Sequence, residues 1–151
     1  MGEDLVQPLR LTTDPAHDLR PAWSPAGKQI AFIRLAQGSK DVLVVPAEGG
    51  AARHVTDLTG LTPVWSNHAS QIQVYPGPVW TADGTGLIAA VRDEQDEAIY
   101  RFSIDGQRKQ RLAGLNSASM VVDSPALSRN RKLAFIRVSA TDYRRYLHPG
   151  R

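Results

Sequence analysis

The chain contains no cysteine, which excludes a disulfide framework and a thiolate metal site and leaves the redox compartment open. No apolar run approaches the ~18 residues needed to cross a bilayer, so no membrane span is expected. The first residues, Met1-Gly2-Glu3-Asp4-Leu5, are acidic and lack an apolar stretch, so they do not read as a signal peptide. As encoded the chain reads as cytoplasmic, and as periplasmic if a leader was removed ahead of it. The helical period is hard to find anywhere in the 151 residues. Short β-branched and aromatic runs broken by turn residues take its place, and they point to an all-β fold.

Catalytic signatures are equally scarce. No Gly-x-Ser-x-Gly elbow occurs, so the nucleophile of a serine hydrolase is absent. His17, His54, His68 and His148 are scattered, with neither metal-ligand spacing nor a motif pairing them to a carboxylate or serine. Gly84-Thr85-Gly86-Leu87-Ile88-Ala89 fits a loose dinucleotide fingerprint, but that motif needs a parallel strand before it and a helix after it. Here Asp83-Gly84 reads as a hairpin turn between short strands. Asp93-Glu94-Gln95-Asp96-Glu97 lacks the alternate spacing and glycine of a calcium loop and reads as a solvated connector. No catalytic, cofactor-binding or metal-binding residue is expected, and the chain reads as a non-enzyme without a cofactor.

What the sequence does hold is repetition. Pro21-Ala22-Trp23-Ser24-Pro25-Ala26-Gly27-Lys28-Gln29-Ile30-Ala31-Phe32 returns fifty-seven residues on as Pro78-Val79-Trp80-Thr81-Ala82-Asp83-Gly84-Thr85-Gly86-Leu87-Ile88-Ala89. It returns again forty-seven residues later as Pro125-Ala126-Leu127-Ser128-Arg129-Asn130-Arg131-Lys132-Leu133-Ala134-Phe135. A period near fifty signals a propeller or a repeat array. Each copy gives a strand, a turn and an apolar strand, and the first two copies go on to two more strands joined by turns. The reading divides the chain into residues 20–57 as the first unit, 58–77 as an inserted loop or hairpin, and 78–114 as the second unit. Residues 120–148 are a third unit that stops one strand short. Residues 5–13 are a closing strand, since Leu9-Arg10-Leu11-Thr12 shares its basic-then-apolar pattern with Arg53-His54-Val55-Thr56 and Gln110-Arg111-Leu112-Ala113.

The pattern Pro-x-Trp-Ser-Pro-x-Gly-Lys-x-Ile-Ala-Phe at residues 21–32, followed by a short strand, Gly49-Gly50 and Arg53-x-Val55-Thr56, resembles the TolB-like β-propeller repeat, a relative of the WD repeat. The resemblance runs from Leu9 to about Leu147. Departures are Ala26, where the family has Asp, and Leu127 and Arg129, where it has an aromatic residue and Pro. The resemblance implies a β-propeller of four-stranded antiparallel blades, about three per chain. It also implies a scaffold, which does not by itself name a function. Ligand recognition would fall at the channel mouth, near Asp18 to Trp23, Gly77 to Trp80 and Asp123 to Leu127. The alternatives are the accessory propeller of a prolyl-oligopeptidase-type serine peptidase and the sensor propeller of a winged-helix transcription regulator.

Runs such as Ile30-Ala31-Phe32-Ile33 and Leu133-Ala134-Phe135-Ile136 are apolar on both faces, so each blade needs a neighbour on each side. Trp23, Phe32, Trp80 and Phe135 are expected to pack between blades. The edge strands Leu9-Arg10-Leu11 and Tyr143-Arg144-Arg145-Tyr146 are the expected interaction residues. Two completions of a six-bladed ring stay open. A second copy can supply the missing half as a homodimer, or a longer parent chain can carry the remaining blades; a further protein partner is compatible with both. Residues 1–100 carry seven Lys/Arg against twelve Asp/Glu, and residues 101–151 eleven against three. An acidic front half can thus meet a basic back half. The basic residues (Arg108, Lys109, Arg111, Arg129, Arg131, Lys132, Arg144, Arg145) fall in turns and on separate repeats, so nucleic acid is not the expected partner.

Overall fold

The computed structural model describes residues 8–36, 39–55, 62–63, 77–92, 97–114, 120–128, 130 and 132–139. Among them are eleven strands and no helix. β1 (His17–Trp23), β2 (Gln29–Ala36), β3 (Ser39–Pro46) and β4 (Arg53–His54) form one antiparallel sheet in chain order. β5 (Thr62–Pro63), β6 (Val79–Trp80), β7 (Gly86–Arg92), β8 (Glu97–Ser103) and β9 (Lys109–Gly114) form the second. β10 (Met120–Leu127) and β11 (Leu133–Ser139) form the third. The fold is therefore all-β, as the repeat pattern implies.

The turn that starts each repeat is held by its hydroxyl. Ser24 Oγ accepts from the amides of Lys28 (3.2 Å) and Gln29 (3.0 Å), and Gly27 takes φ 67° at the turn. In the second copy Thr81 Oγ1 accepts from the Gly86 amide (2.9 Å) and donates to the Asp83 carboxylate (2.6 Å). Asp83 also accepts from the Thr85 amide and hydroxyl (3.0 and 2.8 Å). The β8–β9 turn repeats the device, with Asp105 accepting from Ser103 Oγ and from the Gln107 amide. Side chains that bond their own turn in this way fix its type and hence the register of the strands it joins. The first copy has Ala26 at the carboxylate position. Ala26→Asp is accordingly expected to raise the thermal midpoint by giving Ser24 an acceptor, which differential scanning calorimetry would read.

Alternation along the strands gives each sheet two apolar faces. In the first sheet Ile30, Phe32, Leu43 and Val45 lie on one face and Ala31, Val42 and Val44 on the other. The second face packs with Trp80, Leu87, Ala89, Val91 and Phe102 of the second sheet. The opposite face of that second sheet, with Ile88, Ala90 and Ile99, receives Leu127 and Leu133 of the third. The three sheets thus stack face to face in chain order. Such two-sided burial explains why β2 and β7 read as continuous apolar runs rather than as alternating ones.

Candidate functional site

The first strand of every sheet is interrupted at the same place. In β1 the pairing with β2 slips between Leu19 and Ala22, so Arg20 and Pro21 stand opposite Phe32. In β10 it slips between Asp123 and Ala126, leaving Ser124 and Pro125 opposite Phe135. In the second sheet Thr62 and Pro63 pair with Arg92 and Val91, and Val79 and Trp80 pair with Ile88 and Leu87. The first strand of that sheet is therefore in two pieces, which pair with β7 on either side of Ala89 and Ala90. The pairing of Thr62–Pro63 adds a strand segment inside the stretch read from sequence as an insertion. A bulge re-aims side chains and increases local twist, and bulges are common beside binding sites.

Arg20 carries the backbone signature of this position, at φ 56°, the single positive φ outside glycine among the described residues. Left-handed geometry costs an ordinary residue roughly 1 kcal/mol. Gly77 backs onto it so closely that a Cβ there would lie 3.2 Å from Arg20 Cβ. Because β1 contacts β6 and β6 contacts β10, the three segments expected at the channel mouth are brought side by side. These inner strands, with exposed Arg20 at their first bulge, form one candidate recognition surface.

An ion pair steadies its edge. Arg34 faces Asp18 across the β1–β2 ladder and binds it bidentately, at 2.8 Å for both contacts, with Asp14 3.3 Å away. The Arg34 hydrogen bonds, helped by the Thr12 side chain, hold the Asp18 carboxyl below its ordinary range against the opposing effect of burial. A carboxylate depressed in the folded state contributes stability above its unfolded pKa near ~3.9 and loses it as pH falls through the lower folded value. Asp18→Asn is expected to cost about 1.5 kcal/mol at neutral pH and to flatten the decline in stability below about pH 4. Urea titrations at pH 7 and pH 3 check both.

The second candidate surface is the outer face of the first sheet. Trp80 is 7% exposed, and its indole Nε1 donates to the Ala22 carbonyl of the neighbouring sheet at 2.9 Å. Trp23, its repeat equivalent, is 62% exposed. It pairs with Ile30 and so belongs to the face of Ile30 and Phe32, on which no further sheet lies among the described residues. A tryptophan can be sandwiched between blades only where a second blade is present. Phe32 is buried, whereas Phe135 is 37% exposed. Leu9 to Thr12 forms no strand, and Leu9 is 63% exposed, since a strand needs a neighbour to pair with. Arg10 bonds only back to the Thr12 carbonyl, at 2.8 Å, among the contacts described. Tyr143, Arg144, Arg145 and Tyr146 lie outside the described residues.

Leu11 nevertheless packs on the cluster of Ile30, Phe32, Leu43 and Val45. Its repeat equivalent Val55 does the same one blade on, packed with Trp80, Leu87 and Phe102 of the second sheet. The segment thus lies where the outermost strand of a preceding blade would lie. Sequence reasoning found the Leu11–Val55 correspondence; it had no signal for the exposure of Trp23.

The remaining candidates are plainer. An open groove of about 800 Å³ runs over Thr85, Arg101, Asp105 and Arg108, and a shallower one of about 600 Å³ lies between the turns at Pro25 and Asp83. Arg108 and Lys109 sit at the β8–β9 turn and Lys132 at the start of β11, all exposed. Arg129, Arg131, His68 and His148 lie outside the described residues. His54 is 3.8 Å from Asp41. Among the described residues no cluster of His, Asp and Glu could hold a metal ion, and no helix is long and apolar enough to cross a membrane. The Gly84–Ala89 segment is a turn followed by an antiparallel strand, not a phosphate cradle.

The profile of the lipoprotein LpqB β-propeller domain matches residues 11–144. The chain matches no curated protein. Among solved structures it is similar to TolB from Acinetobacter baumannii, with a TM-score of 0.62 and 20% identity over 90% of this chain and 30% of that one. It thus spans about 30% of that protein's length, and the likeness is one of fold. A putative TolB from Agrobacterium tumefaciens matches at a TM-score of 0.36, with 14% identity over 84% of this chain and 72% of that one.

Proposed function

From its membership of the lipoprotein LpqB β-propeller domain family, we propose that the chain is a non-catalytic propeller scaffold whose ring is completed by a second copy of itself. The observation that carries this reading is Leu11, seated on the first sheet as Val55 is seated on the second. In the assembled ring, Leu9 to Thr12 becomes the outermost strand of the partner's third blade. Both exposed sheet edges are then paired, and the two-fold arrangement is closed. The acidic first two-thirds of one chain meets the basic last third of the other, which favours this orientation over chance encounters. The bulged inner strands around Arg20 then line the channel and meet a ligand or protein partner.

Light scattering on the purified chain is expected to give twice the 16.5 kDa chain mass. A folded particle of single-chain mass at every concentration would overturn the reading and favour the rival, in which a longer parent chain carries the missing blades. Peptide and ester hydrolysis by the chain is expected to be blank, and turnover would overturn the non-catalytic assignment. The family description names a lipoprotein, and we place the scaffold at a membrane surface outside the cytoplasm on that basis.

A further inference from the structure

The two sheet junctions inside the chain follow a size rule, and the two outer faces obey it with each other. At the first junction the large residue is Trp80, and it packs with Ala22 and Ala31, a directly opposed pair on β1 and β2. At the second junction the corresponding residue is the smaller Leu127, and it packs on the cluster of Ile88, on which Val79, the residue directly opposed to Ile88, also packs. Large is set against small at one junction and the sizes are exchanged at the other, which keeps the packed volume roughly constant. The outer face of the first sheet presents Trp23, 62% exposed. The outer face of the third presents Ala126 opposite Ala134, both exposed, at the register place of Ala22 and Ala31.

We infer that Trp23 is the docking residue of a junction with a second copy, seated on the partner's Ala126 and Ala134 with its indole N–H donating to the partner's Ala126 carbonyl. The bulge that exposes the Ala22 carbonyl to Trp80 has its counterpart at Asp123 to Ala126, so the acceptor is positioned in the same way. A bulky residue such as Val or Ile at those alanine positions would reject an indole, and a small residue in place of Trp23 would leave a void. Charge supports the choice of occupant, because the third sheet belongs to the basic part of the chain and the first to the acidic part. A buried tryptophan at the centre of a junction is the usual energetic anchor.

This inference rests on the ring-closure reading, and the test separates the two. The dissociation constant of the 151-residue chain is measured by sedimentation for four proteins, with circular dichroism checking that each is folded. Trp23→Leu is expected to weaken the dimer by about 30-fold or more. Ala126→Val with Ala134→Ile, which copies the pair found at the second junction, is expected to weaken it comparably. The triple variant carrying all three changes recreates the Leu127 combination and is expected to return within about tenfold of the original. If the unaltered chain is a dimer and Trp23→Leu binds as tightly, or the triple variant binds no better than its parents, the docking assignment falls and ring closure stands. If the unaltered chain never dimerises, both fall.

Discussion

Trp80→Ala is expected to destabilise the folded chain by about 3–5 kcal/mol, the largest loss from any single side chain considered. The indole is 7% exposed and is shared between two sheets, so its removal opens a void that neither can fill without shifting the other. It also strips the Ala22 carbonyl of the donor held at 2.9 Å, leaving a polar atom without its partner at the junction. Against a typical total of about 5–15 kcal/mol, that loss takes a large share of the stability. Urea unfolding followed by circular dichroism would show a much lower midpoint. Trp23→Ala provides the contrast, because the same residue type at the same repeat position is 62% exposed. Under dilute conditions that favour the single chain, its stability should change by well under about 1 kcal/mol. Equal effects at the two positions would contradict the placement of the sheets.

Gly86→Val is the second large effect, expected at about 2–3 kcal/mol, and its cause is space rather than backbone torsion. A Cβ at Gly86 would sit 2.8 Å from the Phe102 carbonyl oxygen and 3.1 Å from Arg101 Nε. The arginine can move away, but the carbonyl cannot. It belongs to the β7–β8 ladder, which begins at Gly86 opposite Ser103, and the Ile104 amide bonds to the Thr85 carbonyl at 2.9 Å immediately beyond it. The strand must either part from its neighbour or tilt, and either movement disturbs Leu87 and Phe102, both buried. Gly84→Ala should behave differently. There nothing lies within 4 Å of the added carbon, and the cost comes from φ 69° alone, roughly 1–2 kcal/mol. Thermal unfolding of both variants would reveal the order, and a Gly86→Val protein as stable as the original would mean the ladder is looser than these distances imply.

The three copies of one motif were legible because strand, hydroxyl and turn must recur together for the same hairpin to form. Thr81, Asp83 and Gly84 satisfy the turn through their own side chains and backbone, so the sequence alone carries the geometry. The same locality let Gly84–Ala89 be read as a hairpin rather than a nucleotide site. Four features were not legible. Thr62–Pro63 pairs with β7 although residues 58–77 read as an inserted loop or hairpin, because pairing at a distance leaves no local period. The slip at Arg20 comes from the meeting of two strands, and one strand's composition does not announce it. Trp23 and Trp80 have the same sequence surroundings and opposite exposures, since burial depends on what stands on the far side. The size rule linking Trp80 to Ala22 and Ala31, and Leu127 to Val79 and Ile88, also becomes visible only once the register is known.

Amide hydrogen exchange at Leu9, Arg10, Leu11 and Thr12, followed as protein concentration rises, tests the borrowed-strand account most directly. These residues form no strand within one chain, so their backbone N–H groups gain ladder partners only when another sheet edge arrives. Slow exchange that appears together with the doubled mass is the expected result. Exchange that stays at the free-peptide rate in a particle of doubled mass would show that two copies meet by some other surface.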